Sequence, residues 1–269
     1  MSRVAVVQMQ ASMQKEENLR SAIAYIREAK RERAELVAFP EFLMAYSPSK
    51  QTASELAKIA ESTDGEFVSK LRNAARKNRI SVVATIYEKS RIKNRVYDTA
   101  LLIDKNGKLS SVYRKLHLYD ALGFKESAKL APGKELTKPI RTIIGNVGMM
   151  ICYDVRFPEM SRMLALMGAN VLVMPSAWVQ GEMKVEHWQT MLKTRAIENG
   201  CYVVAPDQVG NIYIGHSMVV DPFGRIILDM EGRVGLEVVD LDNKLINSVR
   251  KKLPLLKNRR RDIYAKYFR

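Results

Sequence analysis

Short apolar runs alternate with amphipathic stretches of helical period along most of the chain, and that alternation limits what it can fold into. Residues 4–8, 36–39, 81–87 and 171–174 read as strands, rich in apolar and β-branched side chains. Residues 18–33, 66–78, 157–167 and 186–199 read as helices, and in the first of them Ile23, Tyr25, Ile26 and Ala29 supply an apolar face. A strand, a crossover helix and a second strand give parallel neighbours. Other strands come as hairpins. Asp104-Lys105-Asn106-Gly107 turns residues 96–103 back into 109–113, and a second pair flanks Gly145-Asn146 with 147–151 as its later arm. Residues 202–239 are strand-rich, with a tight turn at Asp221-Pro222-Phe223-Gly224. Hairpins among crossovers mean mixed sheets, and the strands suffice for two sheets packed face to face with helices outside each. With no internal repeat, low-complexity tract or linker, residues 1–269 are expected to form one α/β domain.

Composition narrows the setting. The hydrophobic fraction is 47% and the charged fraction 27%, enough for a core and contrary to disorder. The opening "MSRVAVVQMQ" reads as a strand rather than a signal peptide. No apolar run approaches the roughly 20 residues that span a bilayer, so no membrane is expected. Two cysteines without a C-x-x-C, and three histidines at unpatterned spacings, indicate neither a disulfide framework nor a metal site. A reducing, cytoplasmic location fits. The 44 Lys and Arg against 29 acidic residues leave a formal charge of +15, which suits nucleic acid or acidic small molecules. The densest cluster, "VRKKLPLLKNRRRDIYAKYFR", is interrupted by apolar side chains and accompanied by no RNA-recognition or zinc-finger signature. Residues from about 250 to 269 therefore read as a docked terminus or a contact with a second copy, not a nucleic-acid arm.

Three apolar runs stop in a reactive side chain. "ELVAFPEF" delivers Glu41, "SVYRKLHLYD" delivers Lys115 and "GMMICYD" delivers Cys152. Strand ends are where α/β sheets gather catalysts. Brought together, the three make a nucleophile, its base and a fixed cation. Glu41 would accept the proton of Cys152, since an ordinary thiol is mostly neutral near pH 7. Lys115 would hold the oxyanion formed when sulfur attacks, with the backbone N–H of Tyr153 as second donor. Taken singly each has a plainer reading: Glu41 as a loop cap, Lys115 as a solvated cation, Cys152 as core filling. Cys201, inside the apolar stretch "NGCYVVAPD", is assigned to packing. A Cys–His pair is the rival arrangement. His117 stands two residues after Lys115, where it could orient the loop or touch substrate, whereas His187 and His216 suit structural hydrogen bonds.

Together "VVQMQ", "LVAFPEF", "YRKLHLYDALGFKES", "MICYDVRFPEM", "HWQTMLKTRAIENGCYVV" and "IGHSMVVDPFGRII" resemble the carbon–nitrogen hydrolase (nitrilase) superfamily, with its three catalytic blocks in order. The resemblance implies a four-layer α-β-β-α sandwich of two mixed sheets that pairs across a dimer, with the C-terminal tail reaching the partner. It implies Glu41 as general base, Lys115 as oxyanion stabiliser, Cys152 as nucleophile on a strand-to-helix elbow, and no cofactor. The "FKES" block nominates Glu126 as a supporting glutamate, and Arg156 matches an arginine that carbamoyl-amino-acid hydrolases use for a substrate carboxylate. Arg156 has a rival role, pairing with Asp154 or Glu159 to hold the elbow. Trp178 in "SAWVQGEMKVEHW" and His117 are further candidate substrate contacts. Within the superfamily the chain looks most like the deaminated glutathione amidase and omega-amidase branch. Nitrilases usually carry Trp-Glu after the cysteine, and Tyr153-Asp154 departs from that. The expected activity is ammonia release from an amide of a small, carboxylate-bearing substrate. N-carbamoyl amino acid or nitrile hydrolysis by the same triad is the alternative, and a basic scaffold the non-enzymatic one.

Overall fold

A computed structural model describes residues 1–267. Phe268 and Arg269, the end of the expected contact tail, lie outside the described residues. The first sheet contains β1 (Ser2–Gln8), β2 (Leu36–Ala38), β3 (Ser81–Lys89), β4 (Val96–Ile103) and β5 (Leu109–Arg114). The second contains β6 (Ile140–Thr142), β7 (Gly145–Met149), β8 (Val171–Val173) and β9 (Tyr202–Ala205). After a small ribbon of β10 (Val209–Gly210) and β11 (Tyr213–Ile214), β12 (Met218–Val220) and β13 (Ile226–Asp229) complete the second sheet, and β14 (Gly235–Leu241) returns to the first. The orders are β14-β1-β2-β3-β4-β5 and β13-β12-β9-β8-β7-β6. Each sheet has a parallel centre, β1-β2-β3 in one and β7-β8-β9 in the other, flanked by antiparallel strands.

The period-2 alternation of β1 sends Val4 and Val6 to one core and Ala5 and Val7 to the other. Ala5, Val7, Val37, Val82 and Leu101 meet α1 (Lys15–Arg31) and α3 (Glu66–Asn78), which contribute Ile26, Ala29, Phe67 and Leu71. Val4, Val6, Leu36, Val83 and Leu102 instead face Val147, Met149, Val171 and Val204 of the second sheet. That same core continues into α4 (Pro158–Leu166) and α5 (Lys184–Asn199) through Leu164, Trp188, Leu192 and Ala196. The architecture is the α-β-β-α sandwich. Pro158 stands at the first turn of α4, where its missing N–H costs nothing, and α5 ends on Gly200 in the left-handed region.

Two helices were not legible from periodicity. A short helix, α2 (Ala53–Ile59), rests on a capping box in which Thr52 and Glu55 satisfy each other's backbone N–H. Residues that run into the expected basic tail, overlapping it only from about 250, form α6 (Asn243–Lys252), capped by Asp242 and buried through Ile246 and Val249. Arg250 then donates to the carbonyls of Ala169 and Gly200, at 2.7 and 3.1 Å. Beyond it, around the short α7 (Arg261–Tyr264), Leu253, Leu255, Ile263, Tyr264 and Tyr267 are exposed. Among the described residues no helix is long and apolar enough to cross a membrane.

Gly133 fixes how β5 continues into the site. Its N–H donates to the Lys115 carbonyl at 2.8 Å, and an added Cβ would collide with the Arg114 carbonyl oxygen. Gly133→Ala is expected to cost about 1–3 kcal/mol and lower Tm by about 3–10 °C. Thermal melts check this, and an unchanged Tm would show that the loop yields freely.

Candidate active site

The parallel strands of both sheets end on the same side of the sandwich. Past β7, the Met150 N–H still donates to Val173 and that of Cys152 to Pro175, at 3.1 and 3.0 Å. At Cys152 the backbone turns left-handed, φ +43°, a conformation that costs a non-glycine residue about 1–3 kcal/mol. Buried Asp154 holds it there. One carboxylate oxygen accepts the Ile151 N–H (2.9 Å) and the Tyr113 hydroxyl (2.6 Å); the other accepts the His117 N–H (3.2 Å) and faces its ring Nδ1 at 2.7 Å. A 3₁₀ turn, Cys152–Arg156, then leads into α4. The turn's internal bonding begins at the Asp154 N–H, which leaves that of Tyr153 at its unpaired N-terminal end.

Glu41 follows β2 across the rigid Phe39-Pro40 step and is locked from the second sheet. Its N–H donates to the Ser176 carbonyl (3.2 Å), and its own carbonyl accepts from the Gln208 amide (2.8 Å). Lys115 follows β5, fully buried, and its ammonium bridges Glu41 Oε1 at 2.7 Å and the Glu126 carboxylate at 2.9 and 3.0 Å. Glu126 also accepts the Tyr119 N–H at 2.7 Å. Burial opposes the charge on Lys115, but Glu126 and Glu41 outweigh it and hold the ammonium well above the usual lysine range. Burial, and then Glu41, push the Cys152 thiol well up, against the pull of Lys115 and of the Ala177 N–H. A thiol held neutral in this way would need a base to act as a nucleophile.

One further carboxyl sits in the cluster without a sequence expectation. Asp98 of β4 is buried, 3.9 Å from the Lys115 ammonium, and neither of its oxygens finds a donor among the described residues. Glu41 Oε2 is likewise without a donor among the described residues. Burial and the neighbouring Glu41 charge raise Asp98 well above the carboxylate range. The sequence signal was a lone acid inside the apolar run "VYDTALLI".

Cys152 and Glu126 open onto a cavity of about 350 Å³, also lined by Phe42, Tyr119, Tyr153, Arg156, Trp178, Lys184 and Tyr213. Arg156 faces the Trp178 ring at 4.8 Å and makes no ion pair with Asp154 or Glu159 among the described residues; the Asp154 oxygens are already occupied. Of the sequence candidates, Glu41, Lys115, Cys152 and Glu126 come together, and Tyr153, Arg156 and Trp178 border the same cavity. His117 does not. The chain bends after β5, so alternation no longer aligns His117 with Lys115, and its ring stacks on Phe157 at 3.7 Å beside Asp154. It braces the elbow instead of lining the cavity. Cys201 lies away from the cavity, its sulfur beside the Ala169 carbonyl and the Arg250 guanidinium. His216 faces Asp229 at 2.9 Å. No group of acidic, histidine and cysteine side chains among the described residues is arranged to hold a metal ion.

Comparison with known proteins fits this geometry. The carbon-nitrogen hydrolase profile matches residues 3–251. The chain is 35% identical over 246 residues to a deaminated glutathione amidase of Escherichia coli O157:H7, covering 91% of this chain and 92% of that protein. It superposes on the NitFhit protein of C. elegans with a TM-score of 0.91 and 35% identity, covering 98% of this chain and 66% of the longer one. It also superposes, at TM-score 0.82 and 26% identity over 100% of both chains, on a mutant amidase from Nesterenkonia sp. AN1 that shows Michael addition of acrylamide at its active-site cysteine. The chain belongs to the carbon–nitrogen hydrolase family.

Proposed function

We propose that the protein hydrolyses the amide of a small, carboxylate-bearing molecule and releases ammonia through a thioester on Cys152. The observation that carries this reading is the Lys115 ammonium bridging Glu41 and Glu126 beside a buried cysteine that opens onto a small cavity. The amidase names of the Escherichia coli and Nesterenkonia relatives support it. Glu41 takes the thiol proton as Cys152 sulfur bonds to the amide carbon. Lys115 and the Tyr153 N–H hold the oxyanion, since donors fixed in place before reaction stabilise charge that develops in the transition state. Glu41 then delivers the proton to the departing nitrogen, ammonia leaves and the thioester remains. A water molecule, deprotonated by Glu41, attacks that thioester; the carboxylic acid leaves and the sulfur recovers its proton. Glu126 keeps the ammonium in place while Glu41 changes charge. Arg156, free of acidic partners, is placed to meet the substrate carboxylate, for which its planar fork is suited.

Asp98 completes the charge balance. Three carboxyls around one ammonium, out of water, would leave an uncompensated excess of negative charge. In this reading Asp98 keeps its proton and donates it to Glu41 Oε2, orienting the base while Oε1 stays on Lys115.

The protein is also proposed to act as a dimer or larger assembly, in a cytoplasmic setting that suits its two free thiols. Met163, Leu166 and Met167 at the end of α4, Ile197 of α5 and the apolar tail residues are exposed.

Cys152→Ala should abolish ammonia release, while Cys201→Ala should retain it. Glu41→Gln and Lys115→Ala should each lower kcat by about 10²–10³ or more in folded protein. A panel of amides, carbamoyl compounds and nitriles assayed for ammonia checks this; near-normal activity in folded Glu41→Gln or Lys115→Ala would sink the triad.

Asp98→Asn keeps a donor toward Glu41 and should turn over about tenfold or more faster than Asp98→Ala, which orphans that oxygen. The unfolded chain loses the Asp98 proton near pH 4 and the folded one holds it. Wild type should therefore lose stability relative to Asp98→Asn as pH rises above about 4, by up to about 1.4 kcal/mol per pH unit until folded Asp98 ionises. Denaturant titrations across that range measure the gap, and a constant gap would mean that Asp98 is ionised in the fold.

Sedimentation at micromolar concentration should show an assembly that weakens when residues after Leu253 are removed. A monomeric wild type would defeat that part of the reading.

A further inference from the structure

Lys184, the first residue of α5, is 4% exposed, which is rare for a lysine without an ionic partner. Its placement is built. Met183 before it is left-handed, φ +55°, and the Lys184 carbonyl accepts the Trp178 indole N–H at 2.8 Å. The side chain lies along the cavity wall, with its ammonium 4.5 Å from the Trp178 ring centroid and 3.4 Å from the Tyr119 hydroxyl. Among the described residues no carboxylate comes within ion-pair distance of Lys184 or of Arg156. Both cations rest on the same indole. Burial lowers the affinity of Lys184 for its proton, Cys152 and more weakly Asp207 oppose that, and the like charge of Arg156 adds to it.

Cation–π contact is a modest attraction, smaller than the cost of burying an ion. The indole alone therefore does not compensate two neighbouring cations in a cavity of about 350 Å³. What would compensate them is one anion held by both. Cys152 and Glu126 line the same cavity, so an anion held at the indole would orient a substrate relative to the sulfur.

We propose that Lys184 is a specificity-determining residue that, with Arg156, clamps a single carboxylate of the substrate over Trp178. The proposal rests on the amidase reading and assigns the substrate's recognition to a residue of α5. Loss of a hydrogen bond to a charged group typically costs about 1.5–3 kcal/mol, or roughly 10- to 100-fold in affinity.

The test has a chemical arm and a binding arm. Succinamate and butyramide share chain length, and succinamate adds the carboxylate. Lys184→Met should lower the ratio of kcat/KM for succinamate over butyramide about tenfold or more, mainly through KM for succinamate. Lys184→Arg should recover part of the ratio. An unchanged ratio in folded Lys184→Met overturns the clamp. The binding arm uses Cys152→Ala protein, which performs no chemistry, and measures succinate calorimetrically with and without Lys184→Met. About tenfold or more weaker binding in the double variant supports the clamp. Equal affinities, or no succinate binding by Cys152→Ala, overturn it. Failure of wild type to release ammonia from any amide would sink the amidase reading while leaving the binding arm to decide the clamp.

Discussion

The ammonium of Lys115 is the constraint around which the site is arranged. It is sealed from water with a carboxylate on each side, at 2.7 and 2.9 Å. A buried ion pair of this kind is a poor way to gain stability, because desolvation cancels much of the attraction, and an apolar replacement of the same shape often does as well. Its value lies in chemistry. A cation fixed beside the nucleophile needs no reorganisation when negative charge appears. The cluster also makes exacting demands on the fold, because an unpaired charge there would be far more costly than the pair. Glu41, Lys115 and Glu126 come from three different segments, so the loops after β2 and β5 and the segment around Glu126 must all arrive together.

Strand β5 meets two of those demands with one register. Tyr113 and Lys115 are two residues apart, and the strand's alternation turns Tyr113 into the core between the sheets. The Tyr113 hydroxyl holds Asp154, and Asp154 holds the strained turn at Cys152. Lys115 holds the base. A slip of β5 by one residue would send Tyr113 to the opposite face, releasing the elbow and the base together. The positive φ of Cys152 persists because Asp154 satisfies the Ile151 N–H, the Tyr113 hydroxyl and the His117 N–H at once. The placements of Cys152 and Glu41, the proposed nucleophile and base, are thus one structural property, shared between the two sheets.

Much of this was legible in the sequence, and what was not has a physical reason. Strand periodicity and turn chemistry locate both sheets, since apolar alternation is a direct print of two-sided burial. The stops at Glu41, Lys115 and Cys152 were visible as polar side chains where apolar runs end. Helix α2 escaped because a seven-residue helix is too short for periodicity and leans on its Thr52–Glu55 cap. Helix α6 escaped because its last turn runs into the charge cluster that read as a tail, although Ile246 and Val249 are spaced for one buried face. His117 was read as orienting the loop or touching substrate; the chain bends after Arg114, with no local signal to mark it, and its place beside Asp154 fits the first of these roles. Asp98 left a trace, an acid within an apolar strand. Lys184 left none: a lysine at a helix start is ordinarily a solvated one.

Two charge groupings meet around the cavity. Glu41, Glu126 and Asp98 surround one ammonium, while Arg156 and Lys184 share the Trp178 indole. The surplus of basic residues, +15 overall, draws anions toward the molecule, but at physiological salt that attraction fades within about 8 Å. Net charge can therefore raise the encounter rate of an acidic amide without deciding how it lies once inside. Orientation is decided within the cavity, where the distance between the cation pair and Cys152 is set by the rigid connection of the 3₁₀ turn to α5. The Arg195 guanidinium of α5 donates to the Val155 carbonyl at 2.8 Å and ties the helix that begins with Lys184 to the turn that carries Cys152 and Arg156. Under the proposed reading, a substrate with its amide carbon at Cys152 and its anion at the two cations would be matched in length to one braced unit.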